Sequence, residues 1–147
     1  LAEAVLRRLK FDNNTIKDVC KLVRWHDFGM GCVPKKNIIR KLLGEVGKDF
    51  FPYIIEIKKA DMAAQSDYKL EERQSQLAEL EKKYEEIVAD ADCVRIKDLK
   101  VNGGDLIKLG IKPGPQMGEI LQKLLDMVIE DPEKNDREYL IEQVKMM

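Results

Sequence analysis

Between Pro115 and Val128 the apolar residues Met117, Ile120, Leu121, Leu124, Leu125 and Val128 recur three and four positions apart, and polar residues fill the other side. That is the period of an α-helix, and such a stripe must be covered by other elements. The same spacing returns along the chain. It runs through Ile16, Val19, Cys20, Val23 and His26, through Ile38, Ile39, Leu42, Leu43 and Val46, and through Leu70, Leu77, Leu80, Tyr84, Ile87 and Val88. The alternation of a β-strand never persists beyond a few residues; Cys93-Val94-Arg95-Ile96 could be extended, but a lone strand has no partner. The fold expected is therefore all-α. We place a helical, bundle-like body in residues 1–92 and a small helical tail with a helix-turn-helix hairpin in residues 93–147. With 44% hydrophobic and 36% charged residues, the chain can fill a core and keep solvated outer faces.

Local signals divide these stripes. Leu1, Val5, Leu6 and Leu9 share one helical face. Asp12 is placed to cap the next helix, with Phe11 and Ile16 as a hydrophobic staple. Gly29-Met30-Gly31 ends it, and Pro34 suits the first turn of the following one, whose end Gly44 and Gly47 loosen. Asp49 is a candidate cap ahead of Pro52, and Ser66-Asp67 is another capping site. A long charged helix is expected from Lys69 to Asp90; Leu70, Leu77 and Tyr84 are spaced by seven, but over too few heptads to require a coiled coil. Residues 91–102 are a break. Beyond it come a short helix at Asp105–Leu109 stopped by Gly110, a tight turn at Ile111-Lys112-Pro113-Gly114, and a helix opened by Pro115 and ended at Asp131-Pro132. A last helix holds Tyr139, Leu140, Ile141 and Val144.

Composition narrows the class. The net charge of −1 hides an uneven distribution: residues 1–60 carry 13 Lys/Arg against 7 Asp/Glu, and acids exceed bases in the remainder. A basic first part can face a polyanion, or the unevenness is chance. Cys20, Cys32 and Cys93 are scattered and form no CxxC, which excludes a zinc knuckle and fits reduced thiols in the cytosol. No apolar run approaches the roughly 20 residues of a membrane span, and no signal peptide opens the chain. The sequence begins inside a helical pattern, as a piece of a longer protein would.

Two acidic motifs could carry chemistry. His26-Asp27 is of the kind that holds metal ions in HD phosphohydrolases. This is the single histidine of the chain, and a catalytic metal needs about three protein ligands. His26 also lies on an apolar helix face, where a partly buried packing role suffices. Asp90-Ala91-Asp92 is a DxD, as used to bind two metal ions, but it ends a charged helix with no glycine-serine turn before it; a solvated helix end explains it as well. No P-loop, dinucleotide fingerprint or nucleophile elbow occurs. The hairpin is more informative. Its turn brings the amides of Gln116 and Met117 to a helix N-terminus, an anion-attracting end, with Lys108 and Lys112 near. A backbone phosphate could dock there; the glycines could equally serve only to permit the turn.

The stretch from Gly104 to Leu121, GDLIKLGIKPGPQMGEIL, resembles the tail of bacterial class II CCA-adding tRNA nucleotidyltransferases, the poly(A)-polymerase-like kind. Leu9-Lys-Phe-Asp-Asn-Asn leading to Leu22-Val-Arg-Trp-His-Asp27 is similar to the segment after that family's neck. Lys59-Ala-Asp-Met-Ala-Ala-Gln-Ser-Asp-Tyr68 resembles the end of the HD-related region found in many members. The motifs are long, stand in the family's order and cover nearly the whole chain.

The resemblance implies that an N-terminal head, absent here, performs nucleotidyl transfer with Mg²⁺ and CTP or ATP. The body and tail hold tRNA. The head's glycine-serine and DxD pattern is missing, as is the neck's Glu-Asp-x-x-Arg; Glu130-Asp131 has Lys134 in the arginine's place. No catalytic residue or cofactor is thus expected within this chain. Arg24, Lys35, Lys36, Arg40 and Lys41 in the basic part, with Lys108, Gly110, Lys112 and Gln116 in the tail, are the candidate RNA contacts. His26, Asp27 and Asp61 match a partial HD-type set that upstream residues of a parent chain would complete. Two other readings remain open: a partial HD-type metal-dependent phosphohydrolase, and a helical protein-interaction module docking through the charged helix. Oligomeric state is not legible.

Overall fold

The computed structural model describes residues 1–66 and 68–147; the expected cap at Ser66-Asp67 falls partly outside them. The protein is all-α, and no strand occurs among the described residues. The helices are α1 (Ala2–Arg8), α2 (Asn13–Trp25), α3 (Lys36–Val46), α4 (Phe51–Ala64), α5 (Leu70–Ala89), α6 (Gly103–Lys108), α7 (Pro115–Glu130) and α8 (Arg137–Lys145), with single 3₁₀ turns at Ile96–Asp98 and Pro132–Lys134. No described helix is long and apolar enough to cross a membrane. The chain divides into two compact units, one of Leu1–Pro34 with Val46–Glu85, the other of Lys35–Glu45 with Glu86–Met147.

In the first unit Asp12 caps α2, its carboxylate accepting from the amides of Asn14 (2.9 Å) and Thr15 (3.0 Å). A bond from the Thr15 hydroxyl first, and then these amide bonds, hold its carboxyl below the ordinary range. Asp49 does not cap α4. That helix starts after Phe50 with no side-chain cap, and Pro52 sits in its first turn, where a missing amide is harmless. Ile16, Val46, Phe51, Ile54, Ile55, Leu77 and Leu80 are buried. Phe51 stacks on Tyr84 at 4.9 Å and meets Phe28 edge-on at 6.3 Å, while the Tyr84 hydroxyl donates to the Lys48 carbonyl at 3.1 Å. Leu77, Leu80 and Ile87 of the α5 stripe are buried, while Leu70 is partly buried and Val88 is exposed. The outer parts of other stripes stay in solvent: Leu9, Val23 and Ile38 are exposed because no neighbouring element reaches them.

The second unit is built on Cys93, Leu99, Val101, Leu106, Ile120, Leu124, Leu125, Val128, Ile129, Leu140 and Val144. The stripe of α7 supplies four of them, Ile120, Leu124, Leu125 and Val128, and the same helix adds Ile129, which the stripe did not include. Asp136 caps α8 through the amides of Glu138 and Tyr139, at 3.0 and 3.1 Å. Gly44, expected to loosen the end of α3, lies inside it for a different reason. A Cβ there would stand 2.4 Å from the Val94 carbonyl oxygen, so only glycine lets the two backbones meet.

The DxD is neither a metal pair nor a solvated end. Ala91 adopts φ +52°, its amide donates to Val88 (3.1 Å), and that of Asp92 donates to Ile87 (3.1 Å). This is the paired-bond left-handed stop of a helix. It turns Asp92 inward, where Arg40 Nε donates to Oδ2 at 2.6 Å. The left-handed conformation costs an alanine about 1–2 kcal/mol, offset in a glycine by about 0.5–1 kcal/mol of lost chain entropy. Ala91→Gly is therefore expected to stabilise the protein by roughly 0.5–1 kcal/mol in urea unfolding. A loss of stability would show that the alanine methyl matters more than its dihedral angle.

Candidate nucleic-acid interface

The hairpin of α6 and α7 is fixed at both ends of α6. Asn102 accepts from the amides of Gly104 (2.8 Å) and Asp105 (3.3 Å), and Asp105 accepts from the Asn102 amide at 3.1 Å, a reciprocal cap. Asp105 is itself buried and receives Arg137 Nη2 at 2.6 Å. That guanidinium bond holds its carboxyl below the ordinary range against the opposing effect of burial. At the other end Gly110 takes φ +88°; its amide donates to Ile107 (2.9 Å) and the Ile111 amide to Leu106 (3.1 Å). Ile111 packs on the core that contains Leu106, the apolar contact that accompanies this kind of stop. Gly110 is thus explained by its backbone.

Gly114 and Gly118 are not. A Cβ at either would meet nothing within 4 Å, and neither position needs a left-handed φ. Gly118 sits inside α7, where glycine costs about 1 kcal/mol relative to alanine. Gly114 and Gly118 are four residues apart, the helical repeat, and leave backbone bare to solvent beside exposed Gln116. Lys108 and Lys112 are also exposed, and among the described residues no ion pair holds them. Of the two amides expected to be free at the start of α7, that of Met117 donates to the Gly114 carbonyl at 3.1 Å and is not available. Neither glycine was singled out among the candidate residues of the sequence; two glycines four apart at the start of a strongly amphipathic helix are the signal for this bare backbone.

The basic first part meets a different end in α3. Arg40 is buried, bonded to Asp92 and donating through Nη1 to the Ile129 carbonyl at 3.0 Å, so it is not a surface cation. Lys36 pairs with Glu86 at 2.7 Å and Lys41 with Glu130 at 3.3 Å. Glu130 also accepts from Asn37 at 2.6 Å, and its carboxyl is held below the ordinary range by Asn37 first and Lys41 second. The bases of α3 are largely answered by acids from the second half of the chain. Lys35 stays exposed without an ion pair among the described residues. Arg24 is exposed and lies 5.5 Å over the Trp25 ring.

His26 is exposed, not packed into an apolar face. It follows the last turn of α2, with Nδ1 2.8 Å from the Val23 carbonyl and Nε2 2.9 Å from Asp27. His26 and Asp61 line one cavity of about 100 Å³ in the first unit. Lys58 lines it too; burial pushes its ammonium down, with Asp27 and Asp61 opposing. Among the described residues no three His, Cys, Asp or Glu side chains gather as a metal site.

Comparison with known proteins sets the hairpin in context. The model of the family described as "tRNA nucleotidyltransferase domain 2 putative" matches residues 1–144. The chain belongs to that family. The CCA-adding enzyme of Limosilactobacillus fermentum is 50% identical over 44 residues, 30% of this chain and 11% of the relative. That of Ligilactobacillus salivarius is 46% identical over 52 residues, 35% of this chain and 13% of the relative. A third, from Pediococcus pentosaceus, is 43% identical over 58 residues, 37% of this chain and 15% of the relative. The matched segments thus span less than a sixth of the curated relatives' length. No solved structure matches the chain. The family is the one that the motifs from Leu9 to Leu121 resembled, and its domain spans residues of both units.

Proposed function

We propose that this chain is the tRNA-holding part of a CCA-adding tRNA nucleotidyltransferase. The observation that carries the reading is the bare backbone at Gly114 and Gly118, beside Lys108, Lys112 and Gln116, in a chain of this family. A helix that keeps an interior glycine without a packing or dihedral reason is built for something to approach it. A phosphate-ribose backbone is the approach expected of tRNA. Contacts of that kind position a ligand without reading its sequence, which suits a protein that must accept every tRNA. Lys35 adds a cation, and Gly110 holds the hairpin in shape. In this reading a head outside the chain performs nucleotidyl transfer with Mg²⁺ and CTP or ATP, in the bacterial cytoplasm.

The test is fluorescence anisotropy of labelled, unmodified tRNA with the chain at several salt concentrations. Affinity is expected to fall steeply with salt, and Lys108→Ala/Lys112→Ala to lower the slope by roughly two ions. Gly118→Ala separates function from folding: we expect it to raise stability by about 1 kcal/mol and to weaken binding. Binding unchanged in both variants would remove the hairpin as the contact, and no binding at low salt would overturn holding by this chain alone.

A further inference from the structure

The cavity of the first unit has a feature that neither packing nor the tRNA-holding reading uses. Arg73 lines it. Its two terminal nitrogens donate to neutral oxygens, the Gln65 side-chain carbonyl and, at 2.6 Å, the Ser66 backbone carbonyl. Its Nε is shielded from solvent and has no acceptor. Among the described residues no carboxylate pairs with that guanidinium, and one of its donors is left unmet, both of which favour an incoming anion. Lys58 lines the same cavity, its ammonium partly desolvated. Met30, Met62, Leu77 and Leu80 give it an apolar wall, and His26, Asp61, Gln65 and Gln76 also line it. About 100 Å³ is less than the dry cavity of about 150 Å³ that accepts benzene, so a ring fits only where the recess opens into a second part of about 370 Å³. The recess continues past Met30 and Arg73 to the exposed ring of Tyr68, and Gln76 lines both parts.

A polarisable apolar wall, a guanidinium with an unmet donor, an ammonium and an exposed aromatic rim together match an anion joined to a planar ring. We propose that this recess binds a single nucleotide, its base in the wider part beside Met30 and Tyr68 and its phosphate at Arg73 and Lys58. Asp61 borders the site and disfavours a ligand carrying several phosphates, so a monophosphate is the form that fits. The ligand is either a free mononucleotide or one unpaired nucleotide of an RNA strand.

Amide NMR of the whole chain, titrated separately with 5′-AMP, adenosine, inorganic phosphate and the single-stranded trinucleotide of adenylate, tests this. The expected result is saturable shifts around Met30, Met62 and Leu77 with 5′-AMP at about 1 mM or tighter, and weaker binding of adenosine and of phosphate alone. Arg73→Gln is expected to weaken 5′-AMP at least about tenfold. Because Arg73 also ties Gln65 and Ser66, Lys58→Met provides a second variant with the same expectation. A trinucleotide that binds tighter than 5′-AMP through the same residues identifies a strand as the source, and equal affinity identifies the free nucleotide; both support the site. No saturable shift by about 10 mM, phosphate binding as well as 5′-AMP, or folded variants that bind like the parent would overturn it. Gly118→Ala leaves this site untouched, so its failure and that of the tRNA reading are told apart.

Discussion

Arg40→Ala is expected to cost about 3–5 kcal/mol of stability, the largest effect of any single side chain we consider. Arg40 and Asp92 are both over nine-tenths buried, and their contact is 2.6 Å long. Removing the guanidinium takes the 2.6 Å charged donor away from a carboxylate buried in the interior of the second unit. It also strips a donor from the Ile129 carbonyl at the end of α7. Chemical unfolding of the variant measures the loss. The double variant Arg40→Met/Asp92→Leu is expected to recover most of it, because a buried ion pair replaced by apolar groups is often neutral. A single variant within about 1 kcal/mol of the parent would mean that water reaches Asp92 readily and that the pair is not an anchor.

Gly44→Ala is expected to lose about 1–3 kcal/mol, although alanine is the better helix former by about 1 kcal/mol. The clash decides the sign. The atom met at 2.4 Å is a backbone oxygen, which cannot rotate away. Its segment is held in place: Asp98 accepts from the amides of Val94 (3.2 Å) and Arg95 (3.0 Å), and Arg95 Nε donates back to the Gly44 carbonyl at 3.3 Å. The substitution at Gly118 is the control, since the same change there meets open space and is expected to stabilise. Melting curves of the two variants side by side should move in opposite directions. A shift in the same direction would undo the distinction drawn between a glycine needed for packing and one left bare for a ligand.

Much of the local structure was legible because short-range rules govern it. Pro115 opens α7, Asp12 caps α2, Gly110 stops α6, and the apolar period of α7 places its buried residues. Each rests on dihedral preference or on bonds within a turn or two. The caps at Asn102 and Asp136 obey the same rules and were passed over in residues 91–102 and after Pro132, where the surrounding helical signal is weak. The candidate contacts were read less well. Charge along a sequence does not say which charges meet: Lys36, Arg40 and Lys41 pair with acids 50 to 89 positions away.

The amino-acid pattern by itself determined that this chain is helical, where most helices start and stop, and which family its motifs resemble. Tertiary structure decided what the polar and glycine residues are for. Asp92 became a buried anchor when a left-handed turn at Ala91 faced it inward. Gly44 became a contact between backbones, while Gly118 was left open. Helix formation depends on neighbours within about four residues, which a sequence displays. Pairing and close approach depend on residues distant in the chain, and only folding brings those together.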